Sequence, residues 1–282
     1  MDAVLIQTLN ALSLASILIL VSLGLAIIFG MLGIVNLAHG EFFMLGAYCM
    51  ATLAMLGIPV WWGLIIAPIA VGAFGMAVER SIIRLLYKRP LDTLLATWGL
   101  SIIIRQVVRL IYGSGQMMSQ SMITGSSTVL GVQYPTYRLF IILATALVVA
   151  LTFILYFRST FGLRIRLVIT NRSMAAALGI NVHRTDMWAF GVASALVGFA
   201  GAIMSPLVVI NTEMGLEYLS RAFIVVIVGG ISHLWGVLAG GAAIGGAEAA
   251  LSFFTRPVVA QALVVLLALI VIRLRPQGIA GS

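Results

Sequence analysis

The 282-residue chain holds one lysine, one cysteine and eight acidic side chains, and each scarcity removes a class of chemistry. The lysine, Lys88, sits in LLYKRPLD, so no GxxxxGK[ST] loop exists and this polypeptide does not hold ATP in the Walker manner. Cys49 alone makes neither an intrachain disulfide nor a cysteine-rich metal site. HExxH and GxSxG are absent, as is a pair of intramembrane aspartates that would suggest a protease. An ion-coupled carrier places several acids at membrane depth, and here only Glu41 and Glu248 qualify. These absences argue against an enzyme and against ion coupling.

What fills the chain is hydrocarbon. It is 62% hydrophobic and 9% charged, with a mean hydropathy of +1.18, well outside the range of an ordinary water-soluble domain. Its apolar segments are continuous runs of about 20 residues, the length of a spanning helix, and not alternating strands of about ten residues as in a barrel. The reading is therefore all-α: a polytopic transmembrane helical bundle of about eight spans, within a range of seven to ten, forming one transmembrane domain over residues 1–282.

The formal charge of +8 follows from topology. Basic residues concentrate at 80–91, at 158–186 and after 272, together eleven of the 16 Lys and Arg, which marks those segments as cytoplasmic. The N-terminus is then outside and the C-terminus inside. The bases form no aromatic-interleaved face, so nucleic acid is not a partner. Residues 113–136, rich in Gly and Ser, read as an external loop. Arg105 and Arg109 share a helical face near the far end of the 93–112 span, where they snorkel or pair within the bundle. Close helix packing is expected from the GxxxG spacings Gly236/Gly240 and Gly241/Gly245, and ISHLWG (231–236) is expected to turn.

One stretch breaks the hydrocarbon pattern. GLAIIFGMLGIVNLAHGEFFMLGAY (24–48) carries Asn36, His39 and Glu41 inside a run long enough to span, flanked by Gly24, Gly30, Gly33, Gly40 and Gly46. Ionisable groups at that depth face a bundle interior or a wet path, and glycines there allow close packing or mark a broken helix. His39 and Glu41 are two residues apart, about 200° around a helix, so they do not converge on one metal. The segment is either the lining or hinge of a pathway, or polar glue between helices. The charge count puts Asn36 to Glu41 toward the cytoplasmic half unless the helix is broken, a location that favours a gate. Glu248, in GGAEAALSFF, either pairs across the bundle or faces the path.

Within the second basic segment, NRSMAAALGI (171–180) has the helix formers Met174 to Leu178 followed by Gly179, where a helix stops. A short helix between two spans is either an ordinary interfacial helix or a knob for a groove on a cytoplasmic partner.

GLAIIFGMLGIVNLAHGEFFMLGAY and NRSMAAALGINVHR together resemble the N-terminal signature and the ATPase-coupling loop of ABC-importer permeases for branched-chain amino acids and related small polar solutes. The likeness extends over about residues 7–278, with Met174 where the wider motif often has Glu. It implies an inner-membrane location in a bacterium and no cofactor in this chain, ATP and Mg being held by two cytoplasmic ATPase subunits. A homologous second permease and a periplasmic or lipid-anchored binding protein complete the implied assembly. Arg172, Met174, Ala175, Ala176, Leu178 and Gly179 would form the coupling contact. Three stretches look more like the urea branch: RPLDTLLATWGLSIIIRQ (89–106), PTYRLFII (135–142) and RPQG (275–278). The resemblance thus implies urea or a short amide, with branched-chain amino acids as the alternative, and a passive urea-like channel ranks below both. Asn36, Thr93, Thr97 and Glu248 are the hydrogen-bonding groups expected along such a path.

Overall fold

The computed structural model describes residues 2–33, 35–87, 89–230, 234–275 and 278–279. Lys88, the first three residues of the ISHLWG turn, and Pro276 and Gln277 of the RPQG stretch lie outside the described residues.

The chain is helical: α1 (Asp2–Leu32), α2 (His39–Met55), α3 (Gly63–Val78), α4 (Arg84–Leu86), α5 (Pro90–Tyr112), α6 (Thr136–Arg158), α7 (Thr160–Thr170), α8 (Arg172–Ala177), α9 (Val182–Met204), α10 (Met214–Gly229), α11 (Leu234–Phe254) and α12 (Pro257–Leu274). A π turn, Glu79–Ile83, joins α3 to α4, making Val60–Leu86 one candidate span. Among the described residues, 7 helices are long and apolar enough to cross a membrane; α2 and α10, at 17 and 16 residues, are shorter. Ends on opposite faces require an odd number of crossings. The expected count of eight therefore does not go with the expected sidedness, whereas seven or nine does.

The loop expected at 113–136 carries structure of its own. Strands β1 (Ser126–Val129) and β2 (Val132–Pro135) pair antiparallel, turning through Leu130 (φ 50°) and Gly131 (φ 89°).

By contacts the chain divides into two compact units. The first comprises Met1–Ala26, Ser121–Leu147 and Ser220–Ser282. Here α1 is apolar on every side, the pattern of a helix buried all round, and Leu18, Leu20 and Val21 are fully buried. Its neighbour α11 approaches through glycine: a Cβ on Gly241 would strike Ile19, and one on Gly245 would lie 2.6 Å from the Cα of Ala15. Both GxxxG pairs thus lie on a helix that packs by backbone approach, as small-residue spacing allows in a membrane. The hairpin is tied to α1 by Tyr134, whose hydroxyl donates to Asn10 at 3.0 Å.

The second unit comprises Ile27–Gln120 and Val148–Leu219, and α9 is its axis. Along α9, Gly191, Ser194, Ala195 and Gly198 meet α3, where Gly72 lies against Ala195, Gly75 against Ser194, and Val71 against Gly198. Its other side meets α2: Gly46 abuts the Gly198 carbonyl and Gly201 the Phe43 carbonyl. Three helices therefore share one line of small residues, because lipid tails supply no hydrophobic force between helices and close approach must hold them.

Alanine at Gly46 should destabilise by about 1–3 kcal/mol, the cost of overpacking a tight contact. Gly99 on α5 has open space around its Cβ direction, so Gly99→Ala should be neutral or stabilise by up to about 1 kcal/mol through helix propensity. Thermal unfolding in detergent, comparing the two variants with the parent, checks both signs.

Candidate functional site

The polar break in the first long apolar stretch is a real interruption of helix. α1 ends at Leu32, Gly33 takes a positive φ of 64°, and α2 begins at His39. Asn36 shapes the re-entry, its side-chain oxygen accepting the Ala38 N–H at 3.0 Å.

The depth of this start can be read from α5. The Leu37 N–H donates to the Thr97 hydroxyl at 3.2 Å, Ser101 donates to Glu41 at 2.7 Å, and Thr52 and Tyr112 share a hydroxyl contact at 2.6 Å. Each pair is 60 residues apart in sequence, so α2 runs parallel to α5 and in constant register with it. Thr97 is seven residues into α5, about 10 Å along a helix rising 1.5 Å per residue. α2 thus starts inside the span: Leu37 is level with Thr97 in the first half of α5, and Glu41 is level with Ser101 at its middle.

A second helix begins beside it. Gly215, in the first turn of α10, lies so close to Gly40 that a Cβ on Gly40 would strike the Gly215 carbonyl, and Tyr218 stacks on Phe43 with ring centroids 4.0 Å apart. Two helix N-termini therefore converge, each carrying the partial positive end of its dipole. The carboxylates stand where that field favours them. Glu41 is fully buried, in the first turn of α2, and Glu213 immediately precedes α10, its N–H held by the Asn211 side chain at 2.9 Å.

Arg105 joins the two carboxylates, at 3.4 Å from Glu41 and 2.8 Å from Glu213. Arg109 adds a second pair to Glu213 at 3.0 Å and donates to Thr212 at 3.2 Å. Between snorkelling and pairing, the two arginines pair. The second oxygen of Glu41 has no hydrogen-bond partner among the described residues. His39, fully buried, opens α2 and meets Phe42 edge-on at 6.3 Å.

Of the expected path residues, Asn36, His39, Glu41 and Thr97 come together here. Thr93 does not: its hydroxyl donates to the Leu86 and Arg89 carbonyls at 2.9 and 3.0 Å, closing the start of α5. Glu248 belongs to the other unit, where it pairs with Arg221 at 3.3 Å. Ser101, Thr212 and Glu213 were not among the expected path residues. Part of that signal is in the sequence, since Thr93, Thr97, Ser101, Arg105 and Arg109 recur every four residues and so line one face of α5.

The second polar cluster involves α8. Asn171 caps it, accepting the Met174 N–H at 2.9 Å, and Gly179 ends it with a φ of 81°. Ala175 is buried, while Met174 and Leu178 are exposed. Arg172 forms an ion pair with Asp186 in the first turns of α9 and lies 4.8 Å over the Tyr87 ring. Tyr87 donates to the fully buried Glu79 at 2.5 Å, and Glu79 pairs with Arg84 at 3.1 Å. Burial and the nearby Asp186 and Glu79 carboxylates push the Tyr87 phenol upward, so it stays protonated and keeps donating. α8 is thereby linked to the π turn after α3 and to the start of α9.

The profile of the family described as branched-chain amino acid transport system / permease component matches residues 7–274. The chain belongs to this permease family. Among curated relatives, the high-affinity branched-chain amino acid transport system permease protein LivH of Salmonella typhimurium is 31% identical over 98% of this chain and 94% of its own. LivH of Escherichia coli K12 is 30% identical over the same shares, and BraD of Pseudomonas aeruginosa is 29% identical over 98% and 95%. No solved structure matches the chain. As a permease component of a transport system, this multi-pass membrane protein works with other components and is not the ATPase. The likeness to the urea branch drawn from 89–106, 135–142 and 275–278 is not what these relatives support; their names specify branched-chain amino acids.

Glu41→Ala in this permease should cost about 1–3 kcal/mol, the usual result of leaving a buried donor, here the Ser101 hydroxyl, without its acceptor. Glu213, 56% exposed, should matter less. Comparing the unfolding midpoints of E41A and E213A in detergent checks the order, which is reversed if Glu213 is the principal anchor.

Proposed function

We propose that this chain is the membrane-spanning subunit through which an ABC importer moves branched-chain amino acids across a bacterial inner membrane. The observation that carries the proposal is the mid-depth convergence of the α2 and α10 N-termini around Glu41, Arg105 and Glu213. Discontinuous helices that aim their N-termini at a midplane site suit a solute carboxylate, and a carboxylate side chain suits an ammonium group. An amino acid carries one group of each sign. A neutral amide such as urea needs neither, and the names of the relatives weigh the same way.

Asn36, His39, Glu41 and Thr97 line the path or its gate, and the buried pairing of Glu41 with Arg105 holds the closed state. A homologous second permease forms the rest of the path. A periplasmic or lipid-anchored binding protein supplies the solute and much of the selectivity, so the membrane site need only pass the zwitterion.

Force enters through α8. Exposed Met174 and Leu178 present an apolar knob to a groove on one of two cytoplasmic ATPases, where ATP and Mg are held. Arg172, through Asp186 and Tyr87, passes displacement of α8 to α9 and α3 as a rigid-body shift between packed states. Because α9 packs on both α3 and α2, that shift reaches the hub.

Cells relying on this system should lose at least nine-tenths of labelled leucine uptake to excess unlabelled valine and none to excess urea; competition by urea alone would reverse the substrate assignment. Gly179→Val forces a branched side chain into positive φ and should lower ATP-driven uptake at least tenfold at unchanged membrane abundance. Full uptake by G179V would remove α8 from the coupling path.

A further inference from the structure

α9 begins with a stripe that the transport reading leaves unused. Arg184, Trp188 and Val192 are spaced by four, so they lie on one helical face. They line a groove of about 790 Å³ together with Arg164 and Phe161 of α7 and Leu155 of α6. On the other side of Arg184 and Trp188, a second groove of about 530 Å³ is lined by Arg80, Arg84 and His183. Among the described residues no carboxylate lines either groove. Arg84 is engaged with Glu79. Arg80, Arg164 and Arg184 have no ion pair with a described carboxylate.

The composition of the first groove changes with depth. Arg164 and Arg184 are exposed, Arg184 in the first turn of α9, Trp188 is half exposed at 47%, and Val192 lies eight residues, or about 12 Å, beyond Arg184 along α9. Leu155 lies three residues, or about 4.5 Å, inside the end of α6. Cation, indole, then aliphatic wall is the order of chemistry met on passing from a lipid headgroup through the interface to the acyl chain. A cytoplasmic protein partner reaches the arginines but not the aliphatic wall within the membrane.

We infer that this groove binds an anionic glycerophospholipid, its phosphate held by Arg164 and Arg184, its glycerol backbone against Trp188 and one acyl chain along Leu155 and Val192. Leu178, Gly179 and Ile180, which follow α8, line the same groove, so the bound lipid buttresses the coupling helix. The placement rests on the inward-facing orientation of 158–186 in the transport reading.

Native mass spectrometry of the purified transporter assembly tests it, with phosphatidylglycerol, phosphatidylcholine and inorganic phosphate as probes. Phosphatidylglycerol should be retained at least tenfold more than phosphatidylcholine, and Arg164→Gln with Arg184→Gln should abolish that preference. Arg273→Gln, an arginine at the end of α12, should leave it intact. Arg184→Gln alone should reduce it, which keeps the test usable if the double variant fails to assemble. Equal retention of both lipids, binding of inorganic phosphate only, or the same loss in Arg273→Gln would overturn the assignment. Leucine uptake is measured separately. Lipid retention without leucine uptake would overturn the substrate reading alone, and uptake without lipid preference would overturn the lipid site alone.

Discussion

A carboxylate with no exposure, among helices packed for a membrane, requires a cation within reach. Glu41 has Arg105 at 3.4 Å, and much of the second unit follows from satisfying that pair. To bring Glu41 level with Arg105 the chain must leave helical structure after Leu32 and begin α2 partway along α5. To bring Glu213 to the same guanidinium, α10 must begin beside α2, which is possible only because Gly40 and Gly215 have no side chains to separate their backbones. A buried pair of this kind is a weak source of net stability, since desolvation offsets most of the attraction, but breaking it is costly. Its effect is to fix register.

The small-residue line on α9 has the complementary role. Glycine and alanine contacts hold α2, α3 and α9 at backbone distance, with Val71 set against Gly198 and Met76 against Gly191. The Arg172, Tyr87, Glu79 and Asp186 cluster ties one end of that assembly to α8, and the Glu41 hub lies at the start of α2. A displacement applied at one cluster therefore has a continuous packed route to the other, within one unit.

Local chemistry made part of this legible in the sequence. Asn36, His39 and Glu41 among glycines marked the broken helix, and the run Met174 to Leu178 before Gly179 marked α8. The long apolar helices followed from run length. What was hidden depends on partners far apart in the chain: nothing near Glu213 says that its cation is Arg105, 108 residues away. The start of α10 at Met214 follows from Asn211, whose side chain holds the Glu213 N–H in the preceding turn. Glu248, one of two acids at membrane depth, was open between pairing and path, and Arg221 supplies a pair. The stretch 89–106 suggested the urea branch, yet its Thr97, Ser101 and Arg105 anchor α2, so likeness there reports a scaffold as much as a solute.

The central claim is that the break before α2, at Asn36, lines a path that opens and closes with the nucleotide cycle. The most direct measurement is the reactivity of Asn36→Cys, in a Cys49→Ala background, toward a membrane-impermeant thiol reagent. The assembled transporter is compared without nucleotide and with ATP trapped. The account predicts labelling in one state and at least tenfold slower labelling in the other. Equal rates in both states, or no labelling in either, would contradict it.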